Sequence, residues 1–313
     1  MNENLTQLTE ALEKAIQTTA DVPSSTQITY NDEVIMTTVP YNPLLTALEN
    51  KGRTYDVTTP EVGFYKESPG NTASFIGETD NIPTYTKTTY TEVTDKMKVI
   101  ATGIQISDMQ KRSSSKINIL EREIDRSYKQ IVNKIDYTLL NGLGTAAAKD
   151  FKCIQDGIPA GNTDDLDGEP VTEADIDAVL DTVINGNGGN PDLLVTDSFV
   201  AAQLKQIAAP YRRYNDKVDI GLGFNVVTYE SPTGYEIPVV VDSNMPVNTT
   251  DNEHSILFLD SSAIDIKYMM RPSFIDDLAK TNLVYNYAVA SYVTAFNCAP
   301  FKCGLLEGIG DGE

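Results

Sequence analysis

Along parts of this chain apolar residues return every three or four positions, and along others every second position. Ile117, Leu120, Ile124, Tyr128, Ile131, Ile135 and Leu139 make one stripe, with Glu121, Arg122, Glu123, Arg126 and Lys129 on the remaining faces. That is the pattern of an amphipathic helix with one buried side. Residues 116–141, at about 1.5 Å each, predict a rod about 39 Å long, and Gly142 stands where a C-terminal cap belongs. Leu5, Leu8, Leu12 and Ile16 predict a shorter helix near the start. Thr172-Glu-Ala-Asp175 has capping-box chemistry and opens another, with Ile176, Val179, Leu180, Val183 and Ile184 on one face. Gly186-Asn-Gly-Gly-Asn-Pro191 stops it; strand Leu193–Thr196 follows, and Asp197 or Ser198 caps a helix through Ile207.

Strand chemistry dominates elsewhere. Thr54 to Thr102 is rich in threonine and carries Tyr55, Tyr65, Tyr85 and Tyr90, and both Thr84–Val93 and Lys96–Ile106 have β-branched and aromatic content. Glu67-Ser-Pro-Gly-Asn71 and Asp80-Asn-Ile-Pro83 are turn sequences between strand candidates. The segment reads as a long hairpin, which is marginal alone in water and must lie against another surface. Phe224–Tyr229, Ser231-Pro-Thr-Gly234 and Tyr235–Val241 form a second hairpin signature. Ile256–Leu259, Ala263–Met269 and the alternating run Leu283–Phe296 make the last third β-rich. Between Ala20 and Pro60, by contrast, Pro23, Pro40 and Pro43 separate short apolar clusters such as Leu44-Leu45. About 40 residues with little structure of their own are unusual inside a domain, so an arm that is disordered or ordered on another surface is expected there. The class is α+β, with helices and strands segregated.

Composition narrows the function. The chain has 313 residues, long enough for one elaborated domain or two with a real core. Its 24 Lys+Arg against 45 Asp+Glu leave a net charge of −21, which argues against a protein built to grip phosphates. A single histidine, His254, removes most triads, histidine metal sites and imidazole proton shuttles. Three cysteines make no disulfide scaffold. Met1-Asn-Glu-Asn-Leu5 lacks the basic and apolar regions of a signal peptide, and the uncharged stretch Thr281–Phe301 alternates like a strand. A reducing cytoplasm is the expected place of synthesis, with no membrane partner.

The motifs that suggest chemistry fail in context. Gly142-Leu-Gly-Thr-Ala-Ala147 spells a dinucleotide fingerprint, but it closes a helix where the fingerprint must open one. Asp165, Asp167 and Gly168 sit like positions of a calcium loop whose first and last ligands would be Thr163 and Ala174, neither a carboxylate. Cys298, Cys303, Cys153 and His254 lack zinc-site spacing and read as buried thiols beside a lone imidazole. Tyr211-Arg-Arg-Tyr214 is too short for a nucleic-acid platform and suits an acidic neighbour. Asp276-Asp277 reads as a solvated face. No catalytic set survives, so neither an enzyme nor a cofactor is expected.

The order of parts, and the phrases Asn42-Pro-Leu-Leu-Thr-Ala-Leu-Glu-Asn-Lys-Gly-Arg53 with Val57-Thr-Thr59, Thr228-Tyr-Glu-Ser-Pro-Thr-Gly234 leading to Asn244-Met-Pro246, and Leu278-Ala-Lys-Thr281, resemble the tailed-phage major capsid proteins of the Hong Kong 97-type fold. The resemblance covers nearly the whole chain. It implies an N-terminal arm over 1–55, an extended β-hairpin loop over 56–106 and a peripheral domain over 107–189 holding a spine helix at 114–141. It further implies an axial domain over 190–248 and a second peripheral part over 249–313. The implied function is self-assembly into hexamers and pentamers of an icosahedral shell around double-stranded DNA, with expansion of a precursor shell. Implied partners are many copies of the chain, a portal, a separate scaffolding or decoration protein, and packaged DNA bound without sequence specificity. The implied location is the virion, after assembly in the host cytoplasm. Arg53, Arg112, Arg122, Arg126, Tyr65 and Lys66 are the expected inter-subunit contacts. Some members join a loop lysine to a neighbour's asparagine; Lys66, Lys87 and Asn297 have no flanking motif for this, so no cross-link is expected. An encapsulin-like nanocompartment shell is the alternative, with a soluble cation-binding or hydrolytic protein behind it.

Overall fold

The computed structural model describes residues 42–68, 73, 75–78, 87–113, 119–208, 218–219, 225–226, 228–231, 234–276, 278–280 and 282–312. The helix expected over Leu5–Ile16, the opening of the long helix at Ile117, and Tyr211–Tyr214 lie outside these residues. In chain order the elements are α1 (Pro43–Asn50), β1 (Thr54–Asp56), β2 (Glu61–Ser68), β3 (Thr89–Lys96), β4 (Lys98–Ser107), α2 (Asp108–Arg112), α3 (Ile119–Asn141), β5 (Thr163–Asp165) and α4 (Glu173–Asp181). They continue with β6 (Leu193–Thr196), α5 (Ser198–Ala208), β7 (Val218–Asp219), β8 (Asn225–Val226), β9 (Thr228–Glu230) and β10 (Glu236–Val241). The last are β11 (His254–Leu259), β12 (Ile264–Ile275), β13 (Val284–Asn297) and β14 (Gly304–Ile309).

A four-stranded sheet has the order β1-β12-β13-β4, and a six-stranded sheet the order β5-β14-β11-β6-β10-β9. Two short ribbons, β2–β3 and β7–β8, stand apart from both. The long helix α3 packs on β4, β12, β13 and α1. Its stripe grades along its length: Ile131, Ile135 and Leu139 are fully buried, whereas Leu120, Ile124 and Tyr128 are half-buried. At the centre of the six-stranded sheet β6 and β11 are buried on both faces, which is why Leu193–Val195 and Ile256–Leu259 are apolar runs that do not alternate. Leu193, Val195, Leu257 and Leu259 join the core shared with α1 and α3. Leu194, Ile256 and Phe258 point the other way, into a second core with Ile176 and Leu180 of α4 and Val200 of α5. Helices lie against sheets in segregated layers, the α+β arrangement expected.

Several local readings hold with their mechanism. Thr172 and Asp175 close the capping box of α4, and Asp197 Oδ1 accepts the Val200 N–H at the start of α5. Strand β6 has the expected bounds, and β9 pairs antiparallel with β10.

Two expectations are corrected. The stretch from Ala20 to Pro60 is not without structure where it is described: α1 buries Leu44, Leu45, Ala47 and Leu48, and β1 runs parallel to β12, Thr54 opposite Ile266. Pro43 at the helix start gives up an N–H that no helical turn would have bonded, so it opens α1 rather than breaking it. The hairpin arms are β2 and β3, Glu61 opposite Lys96 and Ser68 opposite Thr89. The strand expected over Lys96–Ile106 does not belong to it; β4 leaves the ribbon and pairs with β13 from Lys98–Val293 to Ser107–Val284. Its inward face carries Ile104 and Ile106, whose burial outweighs any gain from extending an exposed ribbon. Gly142 follows the last helical residue, where a cap is expected, and space also excludes a side chain there, since a Cβ would lie 2.1 Å from the Phe151 carbonyl oxygen. The six-stranded sheet draws strands from both sides of residues 190 and 248: β11 pairs with β6, and β14 and then β5 follow beyond it. Strand β12 also outruns its expected end at Met269, reaching Ile275 through register shifts that accommodate Pro272.

Candidate assembly surfaces

The β2–β3 ribbon is tied down at one end only. At its base Val62 is buried and Phe64 meets Phe296 of β13 edge to face, with ring centroids 5.8 Å apart. Lys267 Nζ lies 5.2 Å from the Phe296 ring centre. Asp95 accepts from Thr294 Oγ1 at 3.1 Å and pairs with Lys98 Nζ at 3.0 Å, and Met97 N–H donates to the Pro60 carbonyl. Gly63 is required at this base, because a Cβ would sit 2.4 Å from the Val93 carbonyl oxygen. Further out, every described residue of the ribbon from Tyr65 to Ser68 and from Thr89 to Thr94 is exposed.

The outer ribbon is not simply polar. Register sets Tyr65 opposite Glu92 and Glu67 opposite Tyr90, so both tyrosines share one face as diagonal neighbours. They are 72% and 68% exposed. Two exposed rings flanked by carboxylates suit a partner with an apolar and basic surface.

A second surface lies where β4 meets the start of β13. Met109 and Leu283 are exposed, and Tyr285 is held between Lys111 Nζ at 4.0 Å and Lys280 Nζ at 3.9 Å from its ring centre. Lys111 also donates to the Tyr287 hydroxyl at 3.0 Å, which holds its ammonium above the usual lysine value.

The expected contact residues do not converge on one patch. Tyr65 and Lys66 are on the exposed ribbon, and Arg126 is exposed on α3. Arg122 is half-buried on α3. Arg112 pairs with Asp108 at 2.8 Å within α2. Arg53 is half-buried between α1 and β1, its backbone bonded to Leu48 and Ile266. Asn297 donates its amide to the Ile154 carbonyl at 2.8 Å, which engages the nitrogen that a lysine cross-link would displace.

No group of three metal-binding side chains occurs among the described residues. Thr163–Asp165 of the broken calcium pattern is a strand, and Asp165 Oδ1 accepts the Asp167 N–H in the turn that follows. His254 sets Nδ1 against Asp197 Oδ2 and stacks on Phe199 at 4.2 Å, a brace at the start of α5. Cys303 is buried and Cys153 and Cys298 are half-buried, all as free thiols. Burial, with Asp265 beside it, pushes Cys298 up to about 11. None of the described helices is long and apolar enough to cross a membrane. The ribbon base escaped sequence reading because Phe64 and Phe296 are more than two hundred positions apart, whereas α1 had a legible signal in Asn42-Pro43 ahead of Leu44-Leu45, a helix start.

A family profile described as SU10 major capsid protein matches residues 9–310. No curated relative matches the chain in direct sequence comparison. Among solved structures, the capsid asymmetric unit of cyanophage A-1(L) superposes with a TM-score of 0.72 at 12% identity, covering 94% of this chain and 99% of that one. The capsid of a native GTA particle gives 0.71 at 13% identity, covering 95% and 100%. The holo-SrpI encapsulin complex from Synechococcus elongatus PCC 7942 gives 0.65 at 11% identity, covering 95% and 96%. At these identities the likeness establishes a shared fold.

Proposed function

The chain belongs to the SU10 major capsid protein family, and from that premise we propose that its copies close into the hexamers and pentamers of a Hong Kong 97-type icosahedral shell around double-stranded DNA. It is a major capsid protein, a structural component of a virion built from many copies of itself. The observation that carries the assembly reading is the β2–β3 ribbon: anchored at Val62 and Phe64, it extends Tyr65 and Tyr90 away from the chain's own cores. Two strands are marginal alone. A neighbouring copy supplies the missing surface, and repeated head-to-tail contacts of this kind close into rings.

In this reading the arm is the chain before Pro43, the extended loop runs from Glu61 to Lys96, and α3 is the spine. Residues 190–248 hold the axial domain's own strands, and β11 and β14 complete that sheet from the peripheral side. The portal, a scaffolding or decoration protein and the DNA are the partners; assembly takes place in the host cytoplasm, and a precursor shell expands as α3 and the ribbon shift. The net charge of −21 suits a wall that confines DNA without gripping its phosphates. Subunits stay uncross-linked and run intact on a boiled denaturing gel, because Asn297 is engaged inside its own subunit.

Negative-stain microscopy of the purified chain beside its sedimentation profile tests this. Closed shells or hexameric and pentameric rings are expected. A monodisperse monomer with an ordered ribbon would remove the basis for assembly. The likeness to the SrpI encapsulin supports a second reading, a shell around protein cargo. The contents separate the two: nucleic acid inside the particle supports the virion, and a packaged protein supports the nanocompartment.

A further inference from the structure

Two carboxyl groups face each other in the interior with no cation beside them among the described residues. Asp136 on α3 and Asp242, directly after β10, are both 0% exposed. Asp136 Oδ1 accepts the Leu45 N–H from the first turn of α1 at 2.8 Å, and its Oδ2 accepts Asn244 Nδ2 at 2.8 Å. Asp242 Oδ1 accepts the Asn244 backbone N–H at 2.8 Å. Its Oδ2 is buried and has no donor among the described residues.

The surroundings are polar but neutral. Beyond the Leu45 amide, α1 contributes nothing to the pair. Helix α3 contributes Asn133, 3.5 Å from Asn244 Nδ2, and Asn141, which donates to the Asn244 carbonyl at 2.6 Å. Among the described residues no Lys, Arg or His pairs with either carboxyl, and the charge acting on Asp136 is that of Asp242. Two ionised carboxylates here would repel each other in a low dielectric and leave one oxygen without a partner. One proton between them removes both penalties.

We propose that Asp136 and Asp242 share a single proton, and that the resulting hydrogen bond is a pH-dependent latch joining α1, α3 and the turn after β10. It acts within one subunit and does not depend on the capsid reading. Burial, and secondarily the charge of Asp242, raises Asp136 to about 8. In the unfolded chain the same carboxyl releases its proton near the ordinary value of about 4. Between those limits the folded chain binds one proton more than the unfolded chain. The latch therefore contributes fully below about pH 4, weakens as pH rises, and is lost above about pH 8.

Asp242→Asn tests it on the full-length chain. The amide keeps Oδ1 as acceptor for Asn244 and puts a permanent N–H where the orphan oxygen stands, so the bond no longer needs a proton. Unfolding is followed from pH 5 to pH 9 for both proteins. The wild-type unfolding constant is expected to rise relative to the variant's by up to about tenfold per pH unit inside the window. Parallel pH curves overturn the proposal. If Asp242→Asn does not fold, the infrared measurement on the wild type decides. Infrared spectra of the wild type alone add an independent reading: an un-ionised carboxylic acid band at pH 6.5 that disappears by pH 10 is expected, and its absence at pH 6.5 also overturns the proposal.

Discussion

Gly142 has no room for a side chain. A Cβ there would stand 2.1 Å from the Phe151 carbonyl oxygen and 2.6 Å from that of Thr138, both backbone atoms that cannot swing aside. Gly142→Ala is expected to destabilise the subunit by about 1–3 kcal/mol, the range for overpacking a filled site. Gly161→Ala, with nothing within 4 Å of its Cβ, should stay within about 0.5 kcal/mol of wild type. Denaturant unfolding of the two variants side by side checks this, and equal midpoints would mean the backbone around Phe151 yields. Sequence reading reached the same residue as a helix cap; the tighter constraint comes from the return of the chain at Phe151, which no local pattern announces. The same holds for Asp136, which sits one position beyond Ile135 of the apolar stripe and is buried where Leu45 of α1 and Asn244, more than a hundred residues away, are brought against it.

Elements divide by where their stability comes from. Helix α3 was legible from spacing because its stripe repeats over its whole length, and the capping box of α4 is a local interaction that any context preserves. Strands β2, β3 and β4 were legible as strands, but not in their pairing, since β-branched composition says nothing about partners. The ribbon then separates two kinds of residue. Val62 and Phe64 hold it to the subunit, while Tyr65 and Tyr90 are exposed. The double variant Tyr65→Ala, Tyr90→Ala is expected to leave subunit stability within about 0.5 kcal/mol and to lower the assembled fraction in sedimentation. Full assembly by that variant would detach the ribbon's tyrosines from the interface.

At the scale of the whole molecule, charge opposes association. Each copy carries −21, so bringing many together at low ionic strength works against their shared field. That field is screened within about 30 Å at 0.01 M salt and about 10 Å at 0.1 M. Assembly is expected to quicken as salt rises from about 0.02 M to about 0.3 M, as followed by light scattering. Slower assembly in salt would instead mean that exposed arginines such as Arg126 form ion pairs that dominate the contact.

Residue order by itself determined the α+β class, the long helix, the second helix with its cap, the strand-rich close and the acidity of the molecule. Each rests on periodicity, capping or composition, which act within a few positions or over the whole chain at once. Tertiary structure decided the rest. It drew Pro43–Asn50 out of the arm into the core, sent β4 to β13 instead of the hairpin, and made one sheet from strands lying on both sides of an expected boundary. The physical reason is common to all three: burial rewards contacts between distant segments, and a chain settles those by fitting whole surfaces together, which no window of sequence contains.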